Sequence, residues 1–220
     1  MGVNDKFGKV AVVCGGTGSE KAVSLASGQA VLTALQAQGI DAHHFDPSTT
    51  DITRLQDYDR VFNVLHGTFG EDGGLQGVCD GLGVPYTGCG VLASAIAMDK
   101  FRCRLIWQAL GLPNVPYVVL NDDSDFAKVE HTLGLPLFVK PAAEGSSVGV
   151  TMIETAGELA KIYPTLKQYH GEILAEKALT GGEYALSIVG DTPLPSIRII
   201  PNGKFYDYDA KYLRNDTVYE

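Results

Sequence analysis

The sequence contains no apolar run near the roughly 20 residues that a membrane-spanning helix needs, so no transmembrane helix is expected. It is poor in positive charge. Its 17 lysines and arginines stand against 26 aspartates and glutamates, a formal net charge of −9. That balance disfavours a large surface for nucleic acid or anionic membrane and leaves room for local basic pockets. Of the cysteines, Cys14, Cys79, Cys89 and Cys103, none makes a C-x-x-C pair, and Cys14 ends an apolar stretch where a buried free thiol is expected. No secretory leader is legible, because Asp5, Lys6 and Lys9 interrupt the start. Met1-Gly2 is followed by Lys6 where myristoylation asks for Ser or Thr. A Walker phosphate loop is missing, since no G-x-x-x-x-G-K-[ST] occurs. There is no internal repeat, and the 26 glycines and 10 prolines punctuate short segments rather than forming a low-complexity tract. A reduced, cytoplasmic setting is the expectation.

What is present is ordinary globular material. Hydrophobic residues make up 45% and charged residues 20% of 220 positions, enough for one large or two small domains, each with a core. Strands are predicted at Lys9–Cys14, Ala42–Phe45, Val61–Leu65 and Val84–Tyr86. Helices are predicted over 20–38, with Val23, Ala26, Ala30 and Ala34 on one face, and near 74–82. This βαβ series implies a parallel sheet over roughly residues 1–90. A helical region spans 92–110. Beyond Pro113 and Pro116 the pattern predicts strand 117–120, helix 125–133, a strand–loop–strand unit, helix 156–168 and strand 172–176. Gly181-Gly182 reads as a hinge. Strands at 183–189, 194–200 and 204–208, with turns at Gly190-Asp191 and Asn202-Gly203, read as antiparallel.

The strand–loop–strand unit carries the most chemistry. The run Leu137-Phe138-Val139 delivers Lys140. Pro-Ala-Ala-Glu144-Gly145-Ser146-Ser147-Val-Gly149 follows, and then a second apolar run. Small residues expose backbone N–H groups and two hydroxyls, and the lysine supplies a point charge. Together they form a concave nest plus a cation suited to a polyphosphate. Glycines and serines give such a loop little packing of its own.

Other loops are less specific. Gly16-x-Gly18 is followed by Lys21 rather than a third glycine, and Asp46 lies about 30 residues on instead of ~20, so dinucleotide binding is disfavoured. Glu20 in that loop can hold an ammonium group or be a solvated first-turn glutamate. His66-Gly67-Thr68-Phe69-Gly70-Glu71-Asp72-Gly73-Gly74 ends the third strand. Metal binding by His66, Glu71 and Asp72 is one reading, but the spacing matches no standard metal site, and orientation of a substrate or neighbouring loop by His66 is the favoured reading. Lys100 and Lys177 also stand at element ends.

Eight segments in register resemble the bacterial D-alanine–D-alanine ligases of the ATP-grasp superfamily, over essentially the whole chain. They are Gly15-Gly16-Thr17-Gly18-Ser19-Glu20 with Val23-Ser24-Leu25, Leu65-His66-Gly67 with Gly70-Glu71-Asp72-Gly73, Pro85-Tyr86-Thr87-Gly88, Met98-Asp99-Lys100, and Val139-Lys140-Pro141 with Glu144-Gly145-Ser146-Ser147-Val148-Gly149. The remainder are Glu176-Lys177 with Glu183, Pro195-Ser196-Ile197-Arg198, and Phe205-Tyr206-Asp207-Tyr208 with Lys211-Tyr212.

The resemblance implies an α/β fold, with a Rossmann-like N-terminal parallel sheet over 1–90 and a central ATP-grasp domain over 91–180. Residues 181–220 would begin the C-terminal ATP-grasp domain. It implies that ATP phosphorylates one D-alanine and that the amine of a second attacks the acyl phosphate, for peptidoglycan precursor synthesis. Lys100, Lys140 and Lys177 would contact ATP, with Lys140 and the Ser146-Ser147 loop over its phosphates and Glu144 among the cofactor-binding residues. Glu176 and Glu183 would take the adenine amino group and ribose, and the Leu179 backbone would face the ring. Glu20 would hold the first substrate's ammonium, with Ser146 and Tyr212 near it. Lys211 would reach the transferred phosphate, and His66 would position substrate. A homodimer is the family's common state.

Ala22 stands where relatives often carry a second glutamate. The family's oxyanion arginine and its Mg2+ or Mn2+ ligands are expected beyond residue 220, so no metal ligand is assigned within the sequence and these residues alone are expected to be catalytically incomplete. Another ATP-grasp carboxylate–amine ligase, or an inactive nucleotide-binding fragment, are the alternatives.

Overall fold

A computed structural model describes residues 6–220; the Met1-Gly2 reading lies outside them. The chain divides into two compact units, Met1–Cys103 and Arg104–Glu220.

In the first unit, strand β1 (Val10–Val13) is buried along its whole length, as an apolar run at the centre of a parallel sheet must be. It pairs in parallel with β2 (Ala42–Phe45) and β3 (Arg60–Asn63), giving the order β2-β1-β3. Successive side chains point to opposite faces. Ala11 and Val13 pack with Phe45, Val61, Leu65 and Leu75, whereas Val10 and Val12 pack with Leu32 and Ala42. Helix α1 (Lys21–Ala37) contributes Leu32 to the second cluster. Helices α2 (Gly74–Leu82) and α3 (Val91–Met98) follow β3. The strand expected at 84–86 reduces to one parallel bridge between Val61 and Tyr86; Pro85 has no N–H with which to extend a ladder. The single helical region expected over 92–110 is two helices. Asp99 is extended, and its carboxylate accepts the Arg102 N–H at 2.9 Å to start α4 (Lys100–Ala109).

The second unit is built on an antiparallel sheet of order β4-β7-β5-β6, formed by β4 (Tyr117–Leu120), β5 (Leu137–Pro141), β6 (Thr151–Ile153) and β7 (Ile173–Lys177). Its register separates two faces. Val118, Leu120, Leu137, Val139, Ile153, Ile173 and Ala175 pack on helices α5 (Phe126–Leu133) and α6 (Leu159–Leu166). Tyr117, Phe138, Lys140, Leu174 and Glu176 take the opposite face, because Phe138 lies across from Glu176 and Lys140 across from Leu174. Helix α6 is shorter than the predicted 156–168.

A second sheet, β12-β11-β8, joins β8 (Glu183–Ala185), β11 (Ile197–Ile200) and β12 (Val218–Tyr219). The predicted strand 183–189 is broken. Its second half, β9 (Ile188–Val189), pairs with β10 (Thr192–Pro193) around the predicted Gly190-Asp191 turn. No strand forms over 204–208. Asp207 caps a helix there, its carboxylate accepting the Ala210 N–H at 2.8 Å, and α7 (Tyr208–Tyr212) follows. Lys211 and Tyr212 are therefore helical rather than in the polar loop expected of them.

Gly28 on α1 lies against β1 so closely that a Cβ would meet the Cβ and Sγ of Cys14 at 2.4 Å. Gly28→Ala would add about 1 kcal/mol of helix propensity, but overlap at a packed strand costs about 1–3 kcal/mol. The expected outcome is net destabilisation in urea unfolding; a stability equal to or above wild type would show that strand and helix separate freely.

Candidate active site

In the second unit the β5–β6 loop is held by α7 and the residues before it. Ser146 and Ser147 both have positive φ, 48° and 63°. Non-glycine residues seldom adopt this region, and each such residue costs about 1–3 kcal/mol unless its surroundings enforce it. Here they do. The Ser146 Oγ lies 2.7 Å from the Tyr212 hydroxyl, Lys211 Nζ donates to Ser147 Oγ at 2.8 Å, and Ser147 Oγ donates to the Tyr206 carbonyl at 3.2 Å. The loop is thus tethered, contrary to the expectation of little packing. Lys211 Nζ lies 5.3 Å from the centre of the Tyr206 ring. Burial and the Tyr219 hydroxyl, 2.8 Å from its own, push Tyr206 up to about 12, so it stays neutral. The arrangement presents a cation, two oriented hydroxyls and a turn of backbone N–H groups, which suits an anion.

The floor is the polar face of the main sheet. Lys140 and Glu176 sit on neighbouring strands, diagonal in register, and their side chains form an ion pair. Arg104 binds the other oxygen of Glu176. All three are largely buried, with side-chain exposures of 16%, 11% and 8% for Lys140, Glu176 and Arg104.

The first unit has its own constellation. Glu20 is 4% exposed, which removes the solvated reading. Gly67 makes room for it, because a Cβ there would fall 2.6 Å from Glu20 Oε2. The loop carrying Glu20 is braced from below. Asp46 accepts from the Gly16 and Ser48 N–H groups at 3.0 and 2.8 Å, and Ser24 Oγ accepts from Gly15 N–H at 2.9 Å while donating to the Val64 carbonyl at 2.7 Å. Asp46 is therefore a structural bracket, with its carboxylate turned to the loop backbone. Nearby, His66 Nδ1 lies 3.8 Å from Glu71 Oε1, and the other Glu71 oxygen accepts the Gly67 N–H at 2.8 Å. The Glu71 carboxylate favours the His66 imidazolium and raises its pKa, outweighing burial. Burial alone would raise Glu71, but His66 and the Gly67 N–H hold it below the usual carboxylate value. His66 Nε2 is buried without a hydrogen-bond partner, and His66 and Glu71 both line a cleft of about 380 Å³. A buried ring nitrogen without a partner is rare and calls for an explanation, and its residue lines a cleft.

The family described as D-ala D-ala ligase C-terminus matches residues 106–220, and that described as D-ala D-ala ligase N-terminus matches residues 41–89. A D-alanine–D-alanine ligase of Neisseria meningitidis serogroup A is 57% identical over 216 residues, 97% of this chain and 71% of the relative. The chain belongs to the D-alanine–D-alanine ligase family. The crystal structure of a D-alanine–D-alanine ligase from Bacillus anthracis superposes with a TM-score of 0.81 at 33% identity, covering 96% of this chain and 71% of that one. The structure of the Bacillus anthracis ligase complexed with ATP does so with a TM-score of 0.78 at 29% identity, covering 96% and 69%. The α/β class with an ATP-grasp fold is thereby established.

Within the second unit, the ligase fold joins Ser146, Ser147, Lys211 and Tyr212 in one hydrogen-bonded group and Lys140 with Glu176 in another. Glu144 lies half-buried in the same loop. Lys177, Leu179 and Glu183 are exposed, Lys177 at the end of β7 and Glu183 on β8. Within the first unit, Glu20 adjoins the His66-Gly67 turn, and Lys100 opens α4. Sequence reasoning did not find Arg104, and it weighed Glu71 only as a metal ligand. A strand-diagonal partner for Lys140 and a lysine-to-arginine step of four along α4 were the signals available, and neither is specific without the register.

Tyr212→Phe removes one anchor of the serine loop. Losing a hydrogen bond of about 1 kcal/mol should speed hydrogen exchange of the amides over 144–149 about fivefold. Unchanged protection would mean that the loop is held by other contacts.

The His66–Glu71 pair has a pH signature. His66 titrates above, and Glu71 below, its ordinary value, so the pair contributes stability between the two. That contribution fades as pH rises through the folded pKa of His66 and as pH falls through that of Glu71. In an NMR titration His66 should have its midpoint above 6.5, and Glu71→Gln should lower it. A midpoint indifferent to that substitution would rule out Glu71 as the cause.

Proposed function

We propose that this protein serves the ATP-dependent joining of two D-alanines into D-alanyl-D-alanine, the peptidoglycan precursor. The observation that carries the reading is the Ser146–Tyr212 and Ser147–Lys211 group, which gives an anion a cation and fixed hydroxyls in the loop that follows Lys140. ATP supplies the phosphoryl group that activates one D-alanine carboxylate. The chain's own residues bind and orient. Lys140 and Lys211 neutralise phosphate charge, and Ser146, Ser147 and the Glu144–Gly149 backbone fix its direction. Lys100 and Lys177 add positive charge to the same nucleotide. Glu176 accepts the adenine amino group, Glu183 the ribose, and the Leu179 backbone faces the ring. Glu20 holds the first ammonium as a buried carboxylate, and the orphaned His66 Nε2 takes a substrate oxygen.

Magnesium or manganese belongs to this reading through the family. Among the described residues no cluster of three His, Cys, Asp or Glu could hold a metal ion, so none of these residues is assigned as its ligand and no step is routed through it. No helix among the described residues is long and apolar enough to cross a membrane. We assign the protein to the cytoplasm, as a homodimer without nucleic-acid or membrane partners, with the three-part division 1–90, 91–180 and 181–220 as its working domain scheme.

Binding tests this without requiring turnover. ATP should bind, and Lys140→Met should weaken it at least about tenfold, the scale of one lost charged hydrogen bond. D-alanine should bind more tightly than L-alanine, and Glu20→Gln should weaken D-alanine while sparing ATP. Equal affinity for the two enantiomers, or ATP binding indifferent to Lys140, would defeat the assignment.

A further inference from the structure

We propose that Arg104 is a positioning residue of the nucleotide site. It holds and neutralises the Glu176 carboxylate, so that Lys140 is released for phosphate while Glu176 keeps a fixed countercharge and an oxygen to accept a purine 6-amino group. The inference rests on the reading of Lys140 and Glu176 given above and adds a residue to it.

Glu176 sits in the second unit with a cation on each oxygen, Lys140 on Oε1 and Arg104 on Oε2. The two cations are held very differently. Lys140 projects from β5 on a flexible stem beside the anion-binding loop, and Glu176 is its one ion-pair partner among the described residues. Arg104 is fixed on every side. Its other guanidinium arm donates to the Val115 carbonyl at 3.2 Å, its plane lies 5.0 Å from the centre of the Tyr117 ring, and Asn114 donates to its own carbonyl at 3.0 Å. Tyr117 is the residue directly across from Glu176 on β4, so the ring that stacks on Arg104 and the carboxylate that it binds belong to one register pair.

That asymmetry decides what can move. Two cations against one anion leave the cluster with a net positive charge. A buried carboxylate stripped of its only countercharge is strongly disfavoured. With Arg104 in place, Lys140 can turn to a phosphate and Glu176 remains compensated. A lone pair on Oε1 then becomes available to an N–H donor. Without Arg104, Lys140 must stay on Glu176, or the carboxylate is left buried with no countercharge. Either way, phosphate binding and base recognition suffer together, and the preference for a 6-amino purine falls.

The experiment measures the affinity of the 220-residue chain for ATP and for inosine triphosphate, whose base carries a 6-oxo group in place of the amine. The wild-type chain is expected to prefer ATP. Arg104→Met is expected to weaken ATP about tenfold and to bring the ratio of the two dissociation constants close to one. Arg104→Lys keeps the charge but not the planar fork or the ring stack, and its ratio should fall between. In a Glu176→Gln background, Arg104→Met should leave the ratio unchanged.

Parallel weakening of both nucleotides with the wild-type ratio retained is what a purely structural arginine would give, and it overturns the inference. So does a further fall of the ratio in the Glu176→Gln background. Should Arg104→Met fail to fold by circular dichroism, Arg104→Lys carries the decision, and a wild-type ratio there is equally fatal. A wild-type chain that binds neither nucleotide overturns the nucleotide-site reading itself. One that binds both equally removes Glu176 as the base acceptor, and the role of Arg104 falls with it.

Discussion

A carboxylate taken out of water must be compensated, and much of the second unit is arranged around that requirement at Glu176. Removing one partner of a buried ion pair typically costs about 3–5 kcal/mol, a large share of the total stability of a domain of this size. Glu176 is on β7 because that strand runs between β4 and β5, which supply Tyr117 on one side and the Lys140 diagonal on the other. Arg104 arrives from α4 to close the third side. The same register that buries Leu137, Val139, Ile173 and Ala175 under α5 and α6 turns Lys140 and Glu176 to the opposite face. Core and site are thus the two faces of one sheet, and a one-residue slip would exchange them.

Above that face the serine loop holds two consecutive residues in a left-handed conformation. The strain is concentrated where chemistry is expected and is offset by a side-chain tether to α7. Helix α7 is only five residues long and draws its start from the Asp207 cap. Its function is to present Lys211 and Tyr212 at a fixed spacing, one toward each serine. The loop and the helix therefore order one another, which a free glycine-rich loop would not require.

The first unit solves a related problem with backbone rather than charge. Glu20 is buried because Gly67 approaches it without a side chain, and its loop is braced by Asp46 and Ser24. His66 is aimed by Glu71, which leaves its Nε2 buried without a hydrogen-bond partner. Each of these polar groups is held by neighbouring backbone or by a second polar side chain.

The sequence by itself determined the alternation of strands and helices, the position of the serine loop between two strands, and the family, because these rest on local periodicity and on short contiguous motifs. It also singled out Lys140, Ser146, Ser147, Lys211, Tyr212, Glu20 and His66 as candidates, which the structure places in three hydrogen-bonded or ion-paired groups, with Glu20 beside the His66-Gly67 turn. It misjudged 204–208 as a strand, since aromatic alternation outweighed a cap whose bond to Ala210 is visible only in three dimensions. It left Asp46 a strand-end acid, Glu71 a metal candidate and Arg104 unremarked. Only the tertiary structure decided those roles. The partners of Arg104 are Val115, Tyr117 and Glu176, the last 72 residues away, and no local pattern encodes which strand lies beside which or in what register. Burial, and with it the need for a second cation on Glu176, exists only once the sheet has closed.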